Sequence, residues 1–159
     1  PLPPLCLPGA VDLDTIVTQC VRALAWTQTH LHGPIVLCGH SAGGHLAAAL
    51  LDPHLAARAD VDLARVTGAC LVSGVFDLRP LRRMYVNDWL RLGDDEAASA
   101  LSPAAAVDRI AAALNDHAGK GVQVLVAVGE HDSPEFRRQS IQFAAELSAA
   151  TERGNSRVR

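Results

Sequence analysis

A serine flanked by glycines is the residue of this chain best suited to chemistry. Ser41 is the centre of the run Gly39-His40-Ser41-Ala42-Gly43, and Gly44 follows directly. A short apolar run, residues 35–38, precedes it, and a segment with helical spacing follows it. At such a strand-to-helix turn the serine hydroxyl projects above the sheet edge, and small residues two positions before and after it let the backbones approach. The pattern predicts Ser41 as a nucleophile, rather than an incidental serine in a glycine-rich turn.

The backbone that follows Ser41 is suited to stabilising negative charge. A helix starting there directs its free N–H groups and the positive end of its dipole at the site. We therefore expect the N–H of Ala42 to donate to a developing oxyanion. His40 is expected to flank the nucleophile. His45, one helical turn further on, either lines the pocket or packs on the helix.

A serine hydroxyl needs a base and an acid that orients the base, and the acid is expected just past a later strand. Asp132 fits best, because it follows the apolar run 122–128 through Gly129-Glu130-His131. Asp77, which follows the earlier run 66–75, is the rival, and Glu130 is a third choice.

The sequence does not identify the base. After a serine at this kind of turn, the catalytic acid and then the histidine are expected further along the chain. No histidine follows His131, which precedes Asp132. The other six are poor substitutes: two end the first predicted helix, two are in the turn and helix around Ser41, and two are in surface connections. They are His30, His32, His40, His45, His54 and His117. This chain by itself is therefore expected to have little activity, because loss of a triad member costs about four orders of magnitude.

Composition excludes several other functions. The 159 residues carry a net charge of −3 without a basic stripe, so nucleic acid is not an expected partner. No apolar run approaches the roughly 20 residues that cross a bilayer, and no signal peptide is recognisable. Histidines and cysteines do not cluster at ligand spacing, so we expect no metal and no cofactor. Four dispersed cysteines (Cys6, Cys20, Cys38 and Cys70) are expected to be reduced thiols, which favours a cytoplasmic location.

The order of elements predicts an α/β fold. Helical spacing over 12–31, 45–55, 104–114 and 134–150 alternates with strand-like runs at 35–38, 66–75 and 122–128. Strands separated by helices form a mostly parallel sheet with helices on both faces. Residues 1–150 are expected to form one domain, truncated at both ends, because the chain opens on Pro1 rather than Met. Residues 151–159 are expected to be a polar, disordered tail. Exposed sheet edges would favour a homodimer.

Five segments are distinctive in combination. They are LCLP (5–8), GHSAGGHLAA (39–48), LVSGVFDLRPL (71–81), Asn87-Asp88 leading to Leu101-Ser102-Pro103, and GEHDSPEFRRQS (129–140). Together they resemble the kynurenine formamidases (arylformamidases), a family of α/β-hydrolases related to esterases and lipases. The resemblance covers nearly all of residues 5–150.

The resemblance implies hydrolysis of N-formyl-L-kynurenine to L-kynurenine and formate, with Ser41 as nucleophile and Asp132 as acid. It also implies an upstream HGG-type segment and a downstream histidine, and nothing in this sequence matches either. There are two alternatives. One is a carboxylesterase acting on short acyl esters, and the other is an inactive hydrolase-like fragment or binding protein that lacks the triad histidine.

Overall fold

The computed structural model describes residues 11–116 and 122–155, and these form a parallel sheet with helices packed against it. The strands are β1 (Ile35–His40), β2 (Val66–Val72) and β3 (Gln123–Ala127), in the spatial order β1-β2-β3. Both strand pairs are parallel. Parallel neighbours require helical crossovers, as the order of elements predicted. The helices are α1 (Leu13–His30), α2 (Ala42–Ala49), α3 (Pro53–Ala56), α4 (Asn87–Leu90), α5 (Asp95–Ala100), α6 (Val107–Asp116) and α7 (Pro134–Asn155).

Local capping fixes where several helices begin. The carboxylate of Asp12 accepts a hydrogen bond from the backbone N–H of Thr15 at 2.8 Å, so α1 begins at Leu13. Asp94 caps α5 in the same way through the N–H of Ala97. Each aspartate satisfies a donor that has no partner inside its helix.

One face of the sheet packs into the core formed with helices of the described residues. Leu37, Ala69 and Leu71 are buried in the core on that face, together with α2 and the paired rings of Phe76 and Phe143, whose centroids are 4.2 Å apart. On the other face the described residues leave apolar side chains uncovered. Val36 is 65% exposed, Leu125 is 59% exposed and Cys38 is exposed.

The boundaries of other elements also differ from the sequence prediction. Helix α2 begins at Ala42 rather than at residue 45, and it ends at Ala49, with α3 following from Pro53. Strand β2 ends at Val72, because Ser73 has a φ of 48° that an extended strand does not accommodate. Helix α7 continues to Asn155, so residues 151–155 of the predicted tail are helical.

The buried faces of the two longest helices are displaced from the predicted ones. Helical spacing alone predicts that residues 11, 16, 20, 23 and 24 form the apolar face of α1. The buried residues are instead Leu13, Val17, Val21 and Leu24. For α7 the same spacing predicts a face with residues 136, 141, 143 and 147. Phe143 and Leu147 are buried, but Ile141 is 63% exposed. Helix α1 keeps the helical period but is rotated about its axis relative to the predicted face, whereas α7 departs from the prediction at Ile141.

One ion pair joins α6 to the segment that follows α2. Asp52 is buried, and its Oδ2 accepts from a guanidinium nitrogen of Arg109 at 2.8 Å. Its Oδ1 also accepts from the backbone N–H of His54 at 2.9 Å. The buried carboxylate therefore has both a counter-charge and a backbone donor. None of the described helices has the length and hydropathy of a membrane span.

Candidate active site

Ser41 occupies a strained turn at the carboxyl end of β1. Its φ of 56° and ψ of −120° lie outside the regions that non-glycine residues normally adopt. Its N–H donates to the carbonyl of Val72 at 2.9 Å, and its carbonyl accepts from the N–H of His45 at 3.1 Å. The residue is thus held between strand β2 and the first turn of α2, as the glycine-rich pattern predicted.

The glycines around Ser41 have different roles. A Cβ on Gly39 would lie 2.0 Å from the carbonyl oxygen of Gly43, so strand and helix approach too closely there for any side chain. A Cβ on Gly44 would lie 3.0 Å from the Cα of Gly74 on the neighbouring strand end. At Gly43 itself a Cβ would meet nothing within 4 Å. Packing within the described residues therefore explains Gly39 and Gly44, whereas the prediction that Gly43 must be small has no such support.

Ala42, the predicted oxyanion donor, is the first residue of α2 and is exposed. The first N–H groups of a helix have no acceptor within that helix. The positive end of the helix dipole reinforces them. The backbone N–H of Ala42 is therefore suitably placed to donate to a negative charge beside Ser41.

Asp132 lies in the turn after β3, where two donors converge on one of its oxygens. The hydroxyl of Ser73 donates to Oδ2 at 2.5 Å, and the backbone N–H of Gly129 donates to the same atom at 2.8 Å. The hydrogen bond from Ser73, followed by that from Gly129, lowers the pKa of Asp132 below its ordinary value, and the nearby charge of His40 adds to the effect. The carboxylate is therefore anionic at neutral pH.

Backbone hydrogen bonds extend the sheet ladder to this edge. Ser41 N–H donates to Val72, and the N–H of Ser73, the next residue, donates to the carbonyl of Ala127 at 2.7 Å. Because carboxyl ends of parallel strands share one edge of a sheet, Ser41, Ser73 and the turn carrying Asp132 lie at the same edge. The structure thus places both predicted catalytic residues there.

The rival acids are placed differently. Asp77 is engaged by Arg79, which donates to both of its carboxylate oxygens at 2.9 Å. The hydrogen bond from the Arg79 side chain is the main cause of its lowered pKa. Glu130 is exposed. The geometry favours Asp132 over both.

The histidines of the described residues do not supply a base in contact with Asp132. His45 is buried, with Nε2 2.8 Å from the carbonyl oxygen of Leu101, and burial lowers its pKa. It packs within the fold, one of the two roles considered for it. Nδ1 of His30 lies 2.8 Å from the carbonyl oxygen of Trp26. The remaining described histidines are exposed: His32, His40, His54 and His131. His117, and the 5–8 segment with Cys6, lie outside the described residues.

Sequence reasoning missed two residues that organise this edge. Ser73 anchors Asp132 although 59 positions separate them. Gln139, buried on α7, accepts from the N–H groups of Phe76 and Asp77 at 2.8 and 2.9 Å and so fixes the loop after β2. Neither residue belongs to a local sequence pattern that predicts its role. The only available signal was that Ser73 lies in the segment LVSGVFDLRPL and Gln139 in GEHDSPEFRRQS, which carry the family resemblance. Within residues 11–116 and 122–155, no three potential ligands cluster as a metal site.

Comparison with known proteins decides the family. A family model described as alpha/beta hydrolase fold matches residues 6–158. The chain belongs to this family. It is 36% identical to the kynurenine formamidase of Danio rerio over 142 residues and 34% identical to that of Salmo salar over 141. Each match covers 87% of this chain and 45% of the relative, so the chain spans about half the length of the curated relatives it matches.

Solved structures agree with this membership. A Silicibacter sp. TM1040 protein, provisionally described as a thioesterase, superposes with a TM-score of 0.71 at 33% identity, over 92% of this chain and 49% of that one. Esterase B from Lactobacillus rhamnosis superposes with a TM-score of 0.51 at 18% identity, over 95% and 66% respectively. The second likeness concerns the fold alone. The predicted α/β-hydrolase fold and the resemblance to kynurenine formamidases are confirmed.

Proposed function

We propose that the complete gene product is a serine hydrolase of the kynurenine formamidase type, which uses water to convert N-formyl-L-kynurenine to L-kynurenine and formate. The observation that carries the proposal is the shared sheet edge, where a strained Ser41 follows β1 and an anchored, anionic Asp132 follows β3, with the end of β2 between them. Identities of 36% and 34% to two kynurenine formamidases support the choice of a formamide substrate.

In this proposal each residue has a distinct chemical role. The Oγ of Ser41 attacks the formyl carbon and transfers its proton to a histidine base oriented by Asp132. We assign that base to a histidine outside the described residues. The N–H of Ala42 donates to the oxyanion. The base then protonates the departing aromatic amine, and water hydrolyses the formyl ester on Ser41, which releases formate.

Kinetics of the complete gene product test this proposal. We expect Ser41→Ala and Asp132→Asn each to lower kcat for N-formyl-L-kynurenine by about 10⁴-fold or more, because both remove a member of one catalytic unit. Ser148→Ala is the matched control, since Ser148 is exposed and its hydroxyl donates a hydrogen bond to Glu152, on the same helix. Unchanged turnover in Ser41→Ala would refute the proposal.

Substrate preference separates the formamidase from a carboxylesterase that uses the same chemistry. The complete gene product should show a higher kcat/KM for N-formyl-L-kynurenine than for p-nitrophenyl butyrate, and the reverse order would favour the esterase. A cytoplasmic location is part of the proposal, and the free thiols Cys20, Cys38 and Cys70 support it. Fractionation of cells that express the protein checks it.

A further inference from the structure

Ser73 adopts a backbone conformation that its residue type does not favour. It is the first residue after β2, its φ is 48°, and the residue as a whole is 4% exposed. Glycine would adopt this conformation without strain. A serine at this position bears a strain that glycine would avoid, so we take the Ser73 hydroxyl to have a function of its own.

That hydroxyl is directed at a single atom of Asp132. Ser73 Oγ and the Gly129 N–H both donate to Oδ2, at 2.5 and 2.8 Å. Among the described residues no donor contacts Oδ1. With Oδ2 fixed from two directions, the carboxylate plane cannot turn freely, and Oδ1 is the oxygen left to accept a hydrogen bond from a further group.

Close packing at the turn adds to this restraint. A Cβ on Gly129 would lie 3.0 Å from Oδ2 of Asp132, so the carboxylate rests directly on the backbone of its own turn. Ser73 is in turn tied to β3, because its N–H donates to the carbonyl of Ala127. The hydroxyl therefore connects the carboxyl ends of two strands through the acid.

We propose that Ser73 is a positioning residue, which holds Asp132 by Oδ2 and thereby presents Oδ1 to the N–H of the catalytic base. This inference rests on the proposed function, because it takes Asp132 as the triad acid. Ser73 does not touch the reacting atoms in this scheme. It acts through the orientation and charge of Asp132.

Two substitutions separate the hydroxyl from the backbone conformation. Ser73→Ala removes the hydroxyl but keeps a side chain at positive φ, whereas Ser73→Gly removes the hydroxyl and relieves the strain. Ser133→Ala is the control, since this hydroxyl is next to Asp132 in sequence but accepts a hydrogen bond from Phe136 N–H instead. The first readout is the pKa of the Asp132 carboxyl, measured by ¹³C NMR in the 159-residue chain.

We expect the pKa of Asp132 to rise in both Ser73 variants and to stay at the wild-type value in Ser133→Ala. In the complete gene product, kcat should fall by about 10- to 100-fold in both Ser73 variants with KM unchanged. A wild-type pKa of Asp132 in Ser73→Gly would overturn the inference. So would a raised pKa with undiminished kcat, because the hydroxyl would then hold Asp132 without serving the reaction.

The same kinetics distinguish failure of this inference from failure of the proposed function. Both N-formyl-L-kynurenine and p-nitrophenyl butyrate are used as substrates. Turnover of the ester alone, reduced in Ser73→Gly, supports the positioning role and rejects the formamide substrate. Turnover of the formamide that persists at the wild-type rate in Ser73→Gly supports the substrate and rejects the positioning role.

Discussion

Gly39 provides the sharpest test of how the turn around Ser41 is built. A methyl group at this position would lie 2.0 Å from the carbonyl oxygen and 2.2 Å from the carbonyl carbon of Gly43. Real Cβ atoms keep at least 3.0 Å from such atoms, so the first turn of α2 must retreat by about 1 Å in Gly39→Ala. The obstacle is backbone rather than the end of a flexible side chain, and rotamer changes cannot relieve it.

The cost should lie at the upper end of the range for overpacking, about 3 kcal/mol of unfolding free energy. Gly43→Ala is the matched control. Its new methyl group meets nothing within 4 Å, and Gly43 lies in the first turn of α2. Alanine in a helix is more favourable than glycine by about 0.5–1 kcal/mol, so this variant should be as stable as the wild type or more stable.

Urea unfolding followed by circular dichroism measures both effects. With a urea dependence of about 1–3 kcal/mol per molar, a loss of about 3 kcal/mol lowers the midpoint by about 1–3 M in Gly39→Ala. The midpoint of Gly43→Ala should not fall. Equal midpoints for the two variants, or a wild-type midpoint for Gly39→Ala, would refute the conclusion that strand and helix are in backbone contact at this turn.

Two further predictions concern buried polar groups. Arg109→Ala leaves the buried carboxylate of Asp52 without its counter-charge. We expect urea titrations at pH 7 to show a loss of about 3 kcal/mol of unfolding free energy. A loss below about 0.5 kcal/mol would contradict the pairing. Burial lowers the pKa of His45, so below about pH 6.5 the unfolded chain binds a proton that the folded chain does not. As the pH is lowered through this range, the free energy of unfolding should therefore decrease by up to about 1.4 kcal/mol per pH unit because of His45. His45→Gln, which keeps a donor for the carbonyl of Leu101, should lose less stability between pH 7.5 and 5.5 than the wild type, and equal losses would show that His45 is not the cause.

The parts of the fold that sequence reasoning predicted are those governed by local patterns. Short apolar runs between helical segments gave the three strands, and the spacing of glycines around Ser41 gave the strained turn. The start of α1 is also set locally, because the Asp12 carboxylate accepts from the backbone N–H of Thr15, three residues on. Asp132 followed from its place after a strand, since parallel strands end at a common edge.

The features that were missed depend on contacts between distant segments. The buried face of α1 includes Val17 and Val21, and which side of an amphipathic helix meets the core is settled by its neighbours. Strand β2 ends early because Ser73 turns towards Asp132, a partner on a different strand end. The exposed face carrying Val36 and Leu125 depends on what lies against the sheet, which the alternation of elements does not specify.

Covalent labelling of the complete gene product by a fluorophosphonate tests the central claim, that Ser41 is the activated nucleophile, most directly. Peptide mapping by mass spectrometry should place a single adduct on Ser41, N-formyl-L-kynurenine should slow its formation, and Ser41→Ala should abolish it. An unreactive protein, or an adduct on another serine such as Ser73, would contradict the account.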